Sequence, residues 1–187
     1  MTTELRWTSA DLETLPDDGK RYEIIDGELQ VSKQPHWHHQ FTCVRLVRFL
    51  DQWNEQTNAG VVNMAPGLIF ADDEDVVPDV VWISRERLAR VLGPEGRLHA
   101  APELAIEVLS PGSTNERRDR EAKLKLYSRH GVQEYWIVDW RTQQIELYRR
   151  TEAVLKLSVT LYKDDMLQSP LLPGFTCIVG QIFAEAM

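Results

Sequence analysis

The sequence predicts an α/β (α+β) fold: a mixed central sheet flanked by helices, with a β-hairpin near the N-terminus. Three features carry that expectation. Apolar runs of strand length recur, each closed by turn residues. Residues 38–56 show the three- and four-residue apolar spacing of a helix, and residues 103–139 read strand, helix, strand. With 187 residues, 43% apolar and 27% charged, and no repeat or long linker, the chain reads as one domain, 1–187.

The elements follow in order. Arg21–Ile25 and Glu28–Val31 flank Asp26-Gly27, whose residues tolerate the positive φ angles of a tight hairpin turn. A helix is expected from about His38 to Gln56, burying Val44, Leu46, Val47, Leu50 and Trp53. Apolar runs follow at 61–64, 68–70 and 76–83, and Ala65-Pro66-Gly67 suggests antiparallel pairing of the first two. Ser84 caps a short helix through Leu92, ended by Gly93-Pro94. Glu103–Leu109 is a strand stopped by Ser110-Pro111-Gly112. Thr114 or Asn115 then caps a helix to about His130, with Gly131 at its end. Glu134–Asp139 reads as a strand buried on both faces, its aromatics core rather than a stacking platform. Ile145–Tyr148 continues it, and Leu155–Tyr162 and Phe175–Val179 read as edge strands and loops.

No run approaches the length of a membrane span, and the N-terminal residues lack a signal-peptide pattern, so a cytoplasmic protein is expected. Cys43 and Cys177 are far apart, without partners at metal-ligand spacing, and read as buried free thiols. A net charge of −8 argues against a protein that coats DNA. Residues 116–130 run the other way, with Arg117, Arg118, Arg120, Lys123, Lys125 and Arg129 against Glu116, Asp119 and Glu121. That helix face is equally consistent with phosphate contacts and with simple solvation.

Chemistry concentrates at two carboxylates. Asp79 follows Pro78 inside an otherwise apolar run and needs a cation, a donor network or water; the plain alternative is a loop aspartate before a strand. Glu107 lies near the end of Ala105-Ile106-Glu107-Val108-Leu109, where alternation sets it on the face of Ala105 and Leu109. Its plain alternative is an ion pair to an arginine of the following helix. From adjacent strands the two make a hard oxygen site for Mg²⁺ or Mn²⁺. Asp119, Lys123 and Tyr127, spaced by four, share one helix face that could bring Lys123 to the carboxylates to orient or deprotonate water. His36, His38 and His39 cluster, but no second ligand group has zinc spacing.

Tyr22-Glu23-Ile-Ile-Asp26-Gly27-Glu28, Pro78-Asp79-Val80, Ala101-Pro102-Glu103 through Glu107 to Ser110-Pro111, Asp119-x-x-x-Lys123-x-x-x-Tyr127 and Gly131-Val132 through Asp139 occur in this order. Together, over about 20–150, they resemble the bacterial family titled putative restriction endonuclease, within the PD-(D/E)XK nuclease superfamily. The resemblance implies a four-stranded mixed sheet flanked by helices and an active site at Asp79 and Glu107. The superfamily places a lysine two residues after the glutamate; Leu109 stands there, and Lys123 from the next helix is the replacement the resemblance implies. Glu23 is similar to an upstream acidic residue that assists the metal in relatives, and His39 to a histidine at the start of the helix.

The expected function is Mg²⁺- or Mn²⁺-dependent hydrolysis of nucleic acid, DNA first. Asp79, Glu107 and Lys123 would be catalytic, Glu23 would join the metal set, and Arg117, Arg120, His39 and Tyr127 would meet substrate. Cutting both strands is compatible with a homodimer. The rival readings are a catalytically silent nuclease-fold module binding nucleic acid or protein, which Leu109 and the net charge favour, and a hydrolase of small phosphoesters.

Overall fold

The structure, a computed structural model, describes residues 6–184. A short helix α1 (Ser9–Leu12) leads into the hairpin of β1 (Arg21–Ile25) and β2 (Glu28–Ser32). Asp26 and Gly27 hold φ of 53° and 76°, as the tight turn requires. Helix α2 (Trp37–Thr57) buries His39, Cys43, Leu46, Leu50 and Trp53. Val44 is 55% exposed, so the buried stripe is centred one residue earlier than its aliphatic pattern suggests, with Cys43 inside.

Next come β3 (Gly60–Met64), β4 (Leu68–Ala71), β5 (Glu74–Val76) and β6 (Val80–Ser84). The expected pairing of 61–64 with 68–70 does not form: β3 pairs antiparallel with β6, and β4 with β5 in another sheet. The reason lies at Ala65, whose φ of 52° turns the chain and whose N–H goes to the carbonyl of Asp79 rather than across a hairpin. Val77-Pro78-Asp79 likewise splits the apolar run 76–83 between the two sheets, as a residue without an N–H should. Ser84 caps α3 (Arg85–Val91), its Oγ accepting from Arg87 N at 3.2 Å.

Strand β7 (Leu104–Val108) is followed by α4 (Ser113–Arg117), a π-helical turn (Arg118–Lys123) and α5 (Leu124–His130), continuous in backbone and ended by Gly131 at φ 89°. Then come β8 (Glu134–Asp139), β9 (Gln144–Thr151), β10 (Val154–Leu161), β11 (Met166–Ser169), β12 (Leu172–Ile178) and α6 (Val179–Phe183). The main sheet runs β10-β9-β8-β7-β6-β3, parallel only between β7 and β8, so the implied four-stranded centre gains a strand on each side. The second sheet is β2-β1-β5-β4, and β11 and β12 make a separate pair. Among the described residues no helix is long and apolar enough to cross a membrane.

Alternation along β7 divides two cores. Leu104, Ile106 and Val108 join the cluster of α2, β8, β9 and β12, while Ala105 and Leu109 join that of α5, β5 and β10. Glu107 therefore projects into the layer between the main sheet, α5 and the hairpin.

Asn54 near the end of α2 fixes the entry to β3: its amide donates to Gly60 O and accepts from Gly60 N, both at 2.9 Å. Asn54→Ala leaves both backbone groups of a buried glycine unpaired, and denaturant titration should show a loss of roughly 2 kcal/mol or more. A loss under about 0.5 kcal/mol would mean that water replaces the amide.

Candidate active site

The β6–β7 register, Val80 opposite Ile106, extended by one residue sets Asp79 opposite Glu107. Pro78 ends the strand just there, and the last N–H of β7, that of Val108, goes to Asp79 Oδ2 at 2.9 Å. Arg21 of β1 donates to Oδ1 at 2.9 Å, and His39 Nε2 lies 3.2 Å from Oδ2. Asp79 is thus a buried carboxylate surrounded by donors from three elements.

Glu107 is met from behind. One oxygen, Oε1, takes Lys123 Nζ at 2.9 Å and Tyr127 OH at 2.8 Å. The same ammonium lies 2.8 Å from Oε1 of Glu23, which also accepts from Val77 N at 2.8 Å. The second oxygen of Glu23 is buried without a partner. The π-helical turn sits where Lys123 is presented, and such turns cluster at functional sites. Asp119 on that turn is buried and held by Arg118 Nε at 3.0 Å, and Arg118 reaches Ser32 on β2.

Burial opposes the charge on Asp79, but the His39 hydrogen bond and the charges of His39, Arg21 and Lys123 outweigh it and hold the carboxyl well below the usual range. Glu107 goes the other way. Burial, with the fields of Asp79, Asp119 and Glu23, outweighs Lys123 and pushes it up to about 8. Burial also disfavours the Lys123 ammonium, yet Glu107, Glu23 and Asp119 together keep it charged. These two shifts pull against each other, because a neutral Glu107 withdraws part of the field on Lys123. Glu23 and Asp119 remain on Lys123, so the ammonium is the fixed charge and Glu107 the site of proton exchange. Four buried carboxylates (Glu23, Asp79, Glu107, Asp119) face Arg21, Arg118, Lys123 and His39; burial disfavours the imidazolium, but the hydrogen bond and charge of Asp79 outweigh it, so with His39 protonated the charges balance.

A cleft of about 190 Å³ opens onto these groups, lined by Arg21, Lys33, His39, Asp79, Glu107 and Arg118 among others. Of the residues singled out in the sequence, Asp79, Glu107, Lys123, Glu23 and His39 meet in this one place. Tyr127 does not face the cleft: it is fully buried behind Glu107 and orients it. Arg117 is exposed and pairs with Glu121, and Arg120 turns to Glu146 of β9, so neither lines the cleft. Arg21 escaped notice although β-strand alternation sets it on the face of Glu23. Cys43 does have a partner at ligand spacing: it lies one turn beyond His39, with Sγ 3.7 Å from Nδ1. His39, Cys43 and Asp79 bring potential ligand atoms within 4.8 Å of one another. Burial and the carboxylate fields push the Cys43 thiol up, however, so the oxygen set is the better cation site.

The shift on Glu107 has a consequence for the metal-free protein. Its folded pKa of about 8 exceeds the ordinary 4.5, so folding stability falls as pH rises between those values. Glu107→Gln, which stays neutral, should gain on the wild type by a few kcal/mol between about pH 5 and about pH 8.5 in thermal melts with chelator. An equal difference at both pH values would place the ionised carboxylate at no disadvantage.

Comparison with known proteins bears on the fold and the family. No curated protein matches the sequence. A crystal structure of a putative nuclease belonging to DUF820 from Anabaena variabilis superposes with a TM-score of 0.73, at 19% identity, over 94% of this chain and 97% of that one. The mixed sheet flanked by helices is therefore a fold shared with that protein. The sequence profile of one family matches residues 9–180, nearly the whole length, and the chain belongs to that family, Uma2, Putative restriction endonuclease.

Proposed function

We propose that the cleft hydrolyses phosphodiester bonds in nucleic acid, DNA first, with Mg²⁺ or Mn²⁺ held by Asp79 and Glu107 and assisted by Glu23. The observation that carries this reading is the meeting of two carboxylates at facing strand positions, one of them, Glu107, bonded through Oε1 to a buried lysine. The residues fit a divalent cation: the donors are hard oxygens, and one Glu23 oxygen is buried and unpartnered. When bound, such an ion polarises a phosphoryl oxygen and steadies the leaving oxygen.

The chain's own groups supply the rest. Lys123, charged at neutral pH, orients water and stabilises negative charge on the phosphate, and does not act as the base. Tyr127 and Lys123 fix the orientation of Glu107, and His39 and Val108 N fix that of Asp79. Arg118 lines both the cleft and a neighbouring groove of about 590 Å³ that includes Arg117 and Lys125. The lining of that groove is balanced in charge, with Arg117, Arg118 and Lys125 against Asp26, Glu28 and Glu121, and a nucleic-acid backbone would follow its basic side, where Arg117, paired at the surface with Glu121, meets substrate. Arg120, tied to Glu146, has no part in it.

Purified protein should degrade DNA with Mg²⁺ or Mn²⁺, and chelator should stop it. Asp79→Asn should lower the rate by roughly 10²-fold or more, while Arg120→Ala stays within a few-fold of wild type. Folded wild-type protein that leaves DNA and RNA intact with every divalent metal, yet binds them, would establish the catalytically silent module instead.

A further inference from the structure

Beside the cleft, several rings gather at the surface. His36 and Trp140 stack with centroids 4.9 Å apart and planes 11° from parallel, and His38 lies 5.4 Å from His36 and 5.2 Å from Trp140. Trp37, next in the chain, is 74% exposed. The rings in contact are His36, His38 and Trp140, and Trp37 adjoins them through its place in the chain.

Local bonds fix these rings relative to the site. His36 is the N-cap of α2, its Nδ1 accepting from His38 N at 3.2 Å. Trp140 Nε1 donates at 3.1 Å to the carbonyl of Leu109, just beyond the strand that carries Glu107. His39, which holds Asp79, follows His36 by three residues, about 4.5 Å along the helix axis.

The spaces around the rings are also suggestive of one ligand. A recess of about 320 Å³ is lined by His38, Phe41, Trp140 and Phe183, together with the polar Arg141 and Gln143. A groove of about 430 Å³ runs past His36 and shares Ser32, Lys33 and Ser110 with the active-site cleft. Arg141 in that recess is held by Asp139 and Glu116, so the rings, the Gln143 amide and a lysine on the way to the carboxylates are the groups that suit a base that has left its own stack. A duplex keeps the faces of its bases covered, and a chain with a net charge of −8 is poorly suited to gripping two phosphate backbones at once.

We propose that the His36–Trp140 stack, with Trp37 and the adjoining recess, binds unstacked nucleobases, so that the nucleic acid delivered to the cleft is single-stranded. This rests on the nucleic-acid reading of the cleft and narrows its substrate.

Fluorescence anisotropy in chelator tests it with three labelled probes: a thymidine strand of about 20 nucleotides, an abasic strand with the same phosphates, and a blunt duplex of equal length. Wild type should bind the thymidine strand roughly tenfold more tightly than the abasic strand, and more tightly than the duplex. His36→Ser with Trp37→Ala should erase the preference for bases. Both side chains are exposed and serine preserves the N-cap, so the fold should persist, as a melting curve would verify. Trp140→Phe, which keeps a ring, should retain most of the preference. Equal binding of base-bearing and abasic strands, duplex binding at least as tight, or an unchanged preference in the double variant would each overturn the proposal. If DNA is still cut with Mg²⁺ in that event, only the stacking site has failed. If no probe is bound and none is cut, the nucleic-acid reading fails with it.

Discussion

A lysine ammonium with no exposed surface joins the parts of this protein. Lys123 touches one oxygen of Glu23 on β1 and one of Glu107 on β7, and it is carried there by the helix that connects β7 to β8. Removing a charge from water is costly, and the Glu23 charge and the Glu107 hydrogen bond compensate only while all three groups hold their places. The second sheet, the main sheet and the crossover helix are therefore coupled at the point where the cleft opens. Deleting the lysine would leave buried carboxylates uncompensated, so the requirement that preserves the fold also preserves the site.

The same constraint explains why the cluster is tense in charge. Asp79 is satisfied by donors from β7, β1 and α2 and stays ionised. Glu107 faces three other carboxylates and shares a single ammonium, and it is the member that retains a proton. Two carboxylates on facing strand positions have thus been given opposite tendencies by their surroundings. One is a permanent anion, and the other exchanges its proton near neutral pH, the pairing expected where a cation enters.

Much of this was legible in residue types and spacing. Asp26-Gly27 announces the hairpin because few residues accept its φ angles, and alternation in Ala105–Leu109 sets Glu107 apart from its aliphatic neighbours. Glu107 does bond to the following helix, with Lys123 as its partner rather than an arginine. What spacing could not convey was tertiary. The four-residue ladder of Asp119, Lys123 and Tyr127 presumed a regular α-helix, whereas a π-helical turn spans Arg118–Lys123 and sets how the lysine is presented. Ala65-Pro66-Gly67 looked like a hairpin turn, yet the chain crosses there from one sheet to the other, which local pattern does not encode. Arg117 and Arg120 illustrate the same limit, since helix charge says nothing about whether Glu121 or Glu146 is waiting for it. The ring stack at Trp140 needed the fold to bring 36–38 against the end of β8.

The cation site proposed at Asp79, Glu107 and Glu23 is a buried cluster of hard oxygens. Calorimetric titration with Mn²⁺ tests it most directly, because it reads binding without requiring turnover. Wild-type protein should take up the ion at a defined stoichiometry, Asp79→Asn and Glu107→Gln should lose that binding, and Arg120→Ala should keep it. Folded wild-type protein that binds no divalent ion, or binding that survives both carboxylate substitutions, would contradict the account.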